Sequence, residues 1–274
     1  MHSSNCFNYH LISLTVKTKM ISYYFQVVIL ALIQGISEFI PVSSSAHLVL
    51  ISSLTQFDYK SIEIDISLHL GSLIAILTYF WRDLINILEN KKILSLIFFG
   101  SIPITIIGFI LFNFEIIYLL RDLRLIAWTT LIFGILMYYS DRKLEYKNID
   151  NNLNIKNIFI IGLCQVLALI PGVSRSGIVI TTCRFFKFNR VDSLKISFYL
   201  SIPALAGASI LSFKNLSEKS FELNLFIFIS IFLSFIFSFL TIKFLLFYLK
   251  KFSLNLFVYY RIILSILLFL VAYR

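Results

Sequence analysis

Long apolar runs separated by short charged links fill most of the chain, and the plan occurs twice. Residues 21–40 are apolar and end at Pro41, and a short helix is predicted to restart near Ala46 and run to about Thr55. Three further apolar runs follow at 64–81, 93–114 and 125–140, and then a hydrophilic stretch at 141–157. The second round begins with an apolar run at 158–170, a break at Pro171 and a restart at 176–186, followed by runs at 191–213, 225–249 and 254–273. The runs are continuous rather than alternating, which predicts helices and not a membrane barrel. A helical crossing takes about 20 residues. The two pieces around Pro41, and the two around Pro171, are each too short to cross alone. Each pair therefore reads as a re-entrant hairpin, 21–55 and 158–187, with broken backbone tolerated only where protein or water surrounds it.

The expected architecture is an all-α polytopic membrane protein built as an inverted repeat. The first repeat is 20–140, the link 141–157 is an aqueous loop, and the second repeat is 158–274. Each half holds one re-entrant hairpin and three transmembrane helices. A shift of 130 residues places Pro41 on Pro171, Ser44 on Ser174, and Ile66–Leu70 on Ile196–Leu200. Three crossings per half is an odd number, so the second half is inverted, and the hairpins are expected to meet at a site between the repeats. Residues 1–19 are mixed and polar and read as a weakly ordered extension without the pattern of a cleaved signal peptide.

Composition agrees with this picture. The chain has 274 residues, 59% hydrophobic and 14% charged, well below the charge content of soluble domains. The net charge of +10 does not point to nucleic acid, because the Lys and Arg residues sit in short clusters between apolar runs. More of them flank the side holding 141–157 than the side holding the termini. The positive-inside rule then puts 141–157 in the cytoplasm and both termini outside. The three cysteines form no CxxC pair, which argues against a disulfide framework or thiolate metal site, and Cys164 and Cys183 read as small apolar helix residues.

Two polar clusters interrupt the apolar sequence at the breaks. The first runs from Gln34 to His47, with Glu38 one helical turn after Gln34, then Pro41, Ser43, Ser44, Ser45 and His47. The serines precede a helix, so their hydroxyls and backbone N–H groups form an anion cradle at its positive end. His47, one short turn in, is expected to face the same point. The second cluster is Pro171, Gly172, Ser174, Arg175, Ser176 and Gly177. Arg175 offers a planar cation suited to phosphate oxygens, and the glycines permit close backbone approach. Two helix N-termini, an arginine and several hydroxyls point to a phosphate or diphosphate ligand.

A carboxylate repels phosphate unless it holds a metal or accepts a proton. Glu38, with Gln34 beside it, is therefore a candidate ligand for a divalent cation bridging to a diphosphate, or alternatively the base that activates a serine. His47 is a candidate nucleophile, general base or general acid. The plainer reading of any single membrane serine is helix packing. Asp65 and His69 are weaker candidates. Ser230, Ser234 and Ser238 form an i+4 stripe suited either to helix packing or to a homodimer contact. Arg261, beside Tyr259 and Tyr260, reads as an interface anchor.

At these residues the chain resembles the undecaprenyl-diphosphate phosphatase family, the bacitracin-resistance phosphatases. The first family motif, an (E/Q)xxxE helix running into P-[VI]-SS-[ST]-x-H, corresponds to Gln34, Glu38, Pro41, Ser43, Ser44, Ser45 and His47. The second, PG-x-SRSG, corresponds to Pro171, Gly172, Ser174, Arg175, Ser176 and Gly177. Leu68-His69-Leu70-Gly71 matches a further family segment, and the likeness runs from about Met20 to Arg274. Gln34 stands where many members carry a second glutamate, and Ala46 stands in place of the usual glycine.

The resemblance implies hydrolysis of undecaprenyl diphosphate to undecaprenyl phosphate and inorganic phosphate. That reaction regenerates the lipid carrier for peptidoglycan and other envelope polymers and underlies bacitracin resistance. It further implies a divalent cation, Mg²⁺ or Ca²⁺, and an active site on the outer face of the bacterial inner membrane. By position, Glu38 is the essential acid, Ser44 the nucleophile or phosphate ligand, His47 the catalytic histidine and Arg175 the phosphate clamp. Gln34, Ser43, Ser45, Ser174, Ser176 and Gly177 fall to substrate binding. The expected partners are a long-chain prenyl diphosphate and the bilayer. The alternative is a polyprenyl-phosphate carrier or flippase, suggested by the repeat alone. Phosphatases of the acid-phosphatase superfamily fit less well, because they need a second histidine after the Ser-Arg motif and none follows His69.

Overall fold

The computed structural model describes residues 24–54, 62–114, 120–213 and 221–273. The extension at 1–19 and Cys6 lie outside them. The described residues are helical, with one isolated bridge between Lys147 and Phe188 and no longer strand. In chain order the helices are α1 (Tyr24–Ser37), α2 (Ser44–Leu54), α3 (Ile62–Tyr79), α4 (Trp81–Glu89), α5 (Lys91–Asn113) and α6 (Leu123–Asp141). The short α7 (Ile149–Asn152) precedes α8 (Ile155–Val166), α9 (Arg175–Phe185), α10 (Arg190–Phe213), α11 (Phe221–Leu249) and α12 (Asn255–Ala272).

Four of these, α5, α6, α11 and α12, are long and apolar enough to cross a membrane, and α3 with α4 makes a fifth if that bent pair is one span. Their outer faces carry exposed Phe98, Phe109, Phe228, Phe244, Ile263 and Leu270. Such a surface suits hydrocarbon. The apolar runs predict six crossings. The run at 191–213 forms α10, a helix of 24 residues. Its Ser193, Ser197 and Ser201 are buried, because α10 packs against α3, α5 and α9. A helix surrounded by other helices needs less apolar surface than one facing lipid.

Other boundaries also shift. The 64–81 run does not end as one straight span: the chain bends by 71° between α3 and α4. The 141–157 link is not plain loop, since it holds α7 and the start of α8. Backbone bonds from Tyr146 and Lys147 to the Lys187 carbonyl tie it to the end of α9. The Ser230–Ser238 stripe resolves as helix packing. Ser72 on α3 bonds Ser234 and Ser238 at 3.3 and 3.0 Å, and Ser234 donates to the Leu68 carbonyl at 2.6 Å. All three stripe serines are fully buried within the chain, so they are not a surface for a second copy. Gly162 on α8 lies so close to the backbone of Gly100 on α5 that any Cβ there would clash.

Where α6, α9, α10 and α12 come together near 141–157, Asp141 gathers them. Arg190 Nε and Nη2 donate to its carboxylate at 2.7 and 3.2 Å, and the Leu254 N–H donates at 2.9 Å. The fully buried Arg184 sits 3.4 Å from the same carboxylate and also donates to the carbonyls of Phe188, Asp141 and Lys143. Removing one member of a buried pair strands its partner's charge, at a cost of about 3–5 kcal/mol. Asp141→Ala is therefore expected to lower the thermal-unfolding midpoint in detergent by a loss of that size, with helix content intact before melting.

Candidate functional site

Both breaks fold the same way. Ser43 (φ 79°) and Ser174 (φ 71°) each adopt positive φ immediately before a helix. The Ser43 hydroxyl accepts from the Ala46 N–H at 3.4 Å, and the Ser174 hydroxyl from the Gly177 N–H at 3.2 Å. The same hydroxyls lie 3.1 Å from Ser45 Oγ and 3.3 Å from Ser176 Oγ. The equivalence is thus Ser43 with Ser174, and Ser44 with Arg175. The expected match of Ser44 with Ser174 is off by one, because Pro171 stands one residue farther from its helix than Pro41 does. Gly172 takes up the extra residue at φ 92°, where a side chain would be strained.

The two breaks touch. The Gly172 N–H donates to Ser45 Oγ at 3.3 Å, and Ser176 Oγ donates to the Ile40 carbonyl at 3.2 Å. Thr129 Oγ1 donates to the Pro171 carbonyl at 2.7 Å, holding the second break on α6. The N-termini of α2 and α9, each with first-turn N–H groups that have no partner inside the helix, therefore meet in one place.

Glu38 is at the centre. Its carboxylate pairs with Arg175 from the other break, and accepts from Ser44 Oγ at 3.0 Å and from Gln34 Nε2 at 2.8 Å. His69 Nδ1 lies 3.0 Å from Gln34 Nε2 and 3.9 Å from Glu38. Arg175 also donates to the Ser201 carbonyl at 3.4 Å. These groups border a cavity of about 280 Å³, whose wall includes Ser43, Ser44, Ser45, Ser174, His69 and Arg121. Among the described residues two arginines and one carboxylate border the cavity, and with the hydroxyls and two helix N-termini this arrangement suits an anion.

The structure therefore brings together Glu38, Ser43, Ser44, Ser45, Ser174 and Arg175, with Gln34 behind Glu38. Gln34 is not on the cavity wall, and three more expected residues are left out of it. Ser176 and Gly177 are buried and serve the breaks' own backbone bonding. His47 faces elsewhere: its Nδ1 lies 2.6 Å from the Ser43 carbonyl and its Nε2 2.7 Å from Tyr260 Oη, with the rings stacked. Nδ1 is thus the donor to the carbonyl, and Nε2 accepts from the tyrosine. His47 lines a separate apolar cavity of about 360 Å³ with Leu32, Ile36 and Tyr260. At about 100° per residue, Ser44, Ser45, Leu48 and Val49 share the cavity face of α2, and His47 points roughly 130° away.

Two wall residues matter more than their sequence context suggests. In the sequence His69 is a weak candidate and Arg121 only a flanking charge. Asp122 caps α6 by accepting from the Arg124 and Leu125 N–H groups at 2.7 and 3.1 Å, which fixes Arg121 at the mouth. The Asp122-Leu123-Arg124-Leu125 start of α6, an N-cap acid ahead of an apolar run, is the available signal. Arg261 is corrected as well. It is fully buried, not an interface anchor, and bonds backbone carbonyls at both breaks.

For a divalent cation the protein offers little. Among the described residues no three His, Cys, Asp or Glu side chains lie close enough to share an ion. Gln34 Oε1 is buried without a hydrogen-bond partner, but the Nε2 of the same amide donates to Glu38, so Oε1 faces away from that carboxylate. The single carboxylate of Glu38 fits an ion held mainly by the oxygens of a bound phosphate, the usual Mg²⁺ arrangement.

Fold and site together define a multi-pass helical membrane protein with a buried cluster of hydroxyls, Glu38 and Arg175 where two breaks in the apolar sequence meet. Residues 27–267 match the family described as Bacitracin resistance protein BacA, and the chain belongs to that family. It is 55% identical over 255 residues to the undecaprenyl-diphosphatase of Pelagibacter ubique (strain HTCC1062), covering 93% of this chain and 100% of that relative. Identity is 41% to the undecaprenyl-diphosphatase of Thermodesulfovibrio yellowstonii, over 91% of this chain and 97% of the relative. It is 40% to that of Elusimicrobium minutum, over 82% and 88%.

Arg175→Lys keeps the charge but loses the fork that spans Glu38 and the cavity. It is expected to weaken binding of inorganic phosphate to the purified protein about tenfold, by loss of one charge-assisted bond. Unchanged binding by titration calorimetry would contradict the cradle.

Proposed function

We propose that this protein hydrolyses undecaprenyl diphosphate to undecaprenyl phosphate and inorganic phosphate in the bacterial inner membrane, recycling the lipid carrier for peptidoglycan synthesis and conferring bacitracin resistance. The single observation that carries the mechanism is the chain of contacts from Ser44 Oγ through Glu38 to Arg175, which crosses between the two breaks. The relatives' shared activity supplies the substrate.

Ser44 is the nucleophile in this reading. Its hydroxyl lies on the cavity wall and already donates to Glu38, which takes the proton as Ser44 Oγ attacks the terminal phosphorus. The bond from that phosphorus to the bridging oxygen breaks, and undecaprenyl phosphate leaves with the electron pair. Water then attacks the phosphoserine, giving inorganic phosphate and free Ser44. Arg175 turns from Glu38 to the phosphate oxygens as charge builds there. The N–H groups opening α2 and α9, with Ser43, Ser45 and Ser174, hold the remaining oxygens. Mg²⁺ or Ca²⁺ arriving with the diphosphate would be held through Glu38, with Gln34 hydrogen-bonded behind it, and would neutralise part of its charge. His47 holds the Ser43 turn in place rather than attacking phosphorus, since both its nitrogens are engaged away from the cavity.

The inverted repeat, 20–140 against 158–274 with 141–157 between, belongs to the same reading. Its hairpins, α1 with α2 and α8 with α9, re-enter from opposite faces. Helix pairing supports it: α3 packs on α10 and α6 on α12, and α3 on α11 matches α10 on α5. The packing of α1 on α11, through Val27, Leu30, Leu233 and Phe237, likewise matches that of α8 on α5. Arg121 borders the cavity from the end of α6 opposite Asp141 and the 141–157 link. With that link cytoplasmic, the cavity opens outward.

In detergent with Mg²⁺, the wild type is expected to release phosphate from a long-chain prenyl diphosphate, and Ser44→Ala and Glu38→Ala each to lose at least about a thousandfold in kcat, as loss of an attacking group or its base does. Rapid quench with labelled substrate should trap phosphate on Ser44. A phosphohistidine at His47 would overturn the assignment of the nucleophile. Movement of lipid phosphate without release of inorganic phosphate would favour a carrier. Chelator is expected to suppress turnover without lowering the unfolding midpoint, because the cation comes with the substrate.

A further inference from the structure

Arg261, midway along α12, is fully buried, and among the described residues no carboxylate pairs with it. Its guanidinium instead donates to four backbone carbonyls. Nε reaches Thr130 on α6 at 3.1 Å; Nη1 reaches Pro41 of the first break at 3.4 Å and Val173 of the second at 3.1 Å; Nη2 reaches Gly172 at 2.8 Å. One planar group thus holds both breaks and the helix beneath them. A buried cation without an acid is costly, and a lysine, with donors on a single atom, cannot span these acceptors.

We infer that Arg261 is the positioning residue that sets the two halves of the phosphate cradle against each other, an inference that rests on the phosphatase reading above. In a trans peptide the N–H points opposite the carbonyl. Drawing the Val173 carbonyl toward Arg261 turns the Ser174 N–H away from it, and Ser174 borders the cavity. Holding Pro41 fixes the start of the turn that presents Ser43, Ser44 and Ser45. Arg261 itself is not on the cavity wall, so it acts through the backbone. Its charge, unmatched by a nearby carboxylate, adds a field at the breaks that favours an anion.

The test is Arg261→Lys beside Arg184→Lys. Arg184 is equally buried and also holds carbonyls, but at the Asp141 cluster. Both variants are expected to melt lower. Arg261→Lys should in addition lose roughly ten- to a hundredfold in kcat, the scale of one or two charge-assisted hydrogen bonds. Inhibition by inorganic phosphate should weaken in parallel, while KM for the lipid changes less than about threefold, because the prenyl chain binds elsewhere. Arg184→Lys should keep wild-type kcat and phosphate inhibition below its melting point. Wild-type kcat and phosphate inhibition in Arg261→Lys would overturn the inference, as would the same catalytic loss in Arg184→Lys. If Arg261→Lys does not purify folded, Gly134→Ala replaces it: a Cβ there would stand 3.2 Å from Arg261 Cβ and press on its stem. A several-fold fall in kcat at an unchanged melting point is then expected, and unchanged kcat overturns the inference. The wild type in the same assay separates the two readings. No release by the wild type overturns the reaction, whereas equal release by wild type and Arg261→Lys overturns the role of Arg261.

Discussion

A carbonyl or N–H that neither its own helix nor water can satisfy is what the centre of this protein is built around. Two helices are interrupted inside an apolar fold, and each interruption leaves peptide groups that hydrocarbon cannot serve. The protein meets most of them from within. Thr129, Thr130, Arg261, Ser176 and His47 take carbonyls on one side of the breaks. The serine caps take the third N–H of each following helix. What is left over is the opening N–H groups of α2 and α9, beside Arg175 and a row of hydroxyls. In the proposed reaction, backbone that is costly to leave bare becomes a place for phosphate oxygens.

The same constraint sorts the polar residues by role. Groups that serve the breaks are sealed in: the Ser176 and Arg261 side chains and the Gly177 N–H are buried and spend their bonds on the protein. Those on the cavity side keep capacity for a ligand. Glu38 carries the most: in the proposed reaction its pairing with Arg175 opens to phosphate, which releases both a base and a cation. The Asp141 cluster serves the fold instead, tying four helix ends together near the 141–157 link and taking no part in the cradle.

Much of this is legible in the chain. Pro41 and Pro171 mark the breaks because proline cannot continue a helix, and the dense polar residues beside them mark the site. Helix positions follow from apolar runs to within a few residues. Facing is harder. In a helix that is apolar all round, hydropathy does not say which side meets protein, so the tyrosine neighbours of Arg261 suggest the surface although it is buried. Nearness in sequence groups His47 with the serines, although helical geometry turns it toward Tyr260. The one-residue difference between the breaks is hidden because both proline anchors fit a single offset, and only the positive φ of Ser43 and Ser174 shows which residues correspond. The polarity of α10 is visible, but that it tolerates polarity through burial by α3, α5 and α9 emerges only from the packing.

The central claim is that two breaks from opposite halves of the chain make one catalytic unit. A double-mutant cycle between Ser44→Ala and Arg175→Ala, read as kcat/KM for a long-chain prenyl diphosphate, tests it most directly. Groups that act together on one transition state are strongly non-additive. The double variant should therefore be scarcely slower than the worse single variant. Losses that simply multiply would show two independent sites and contradict the account.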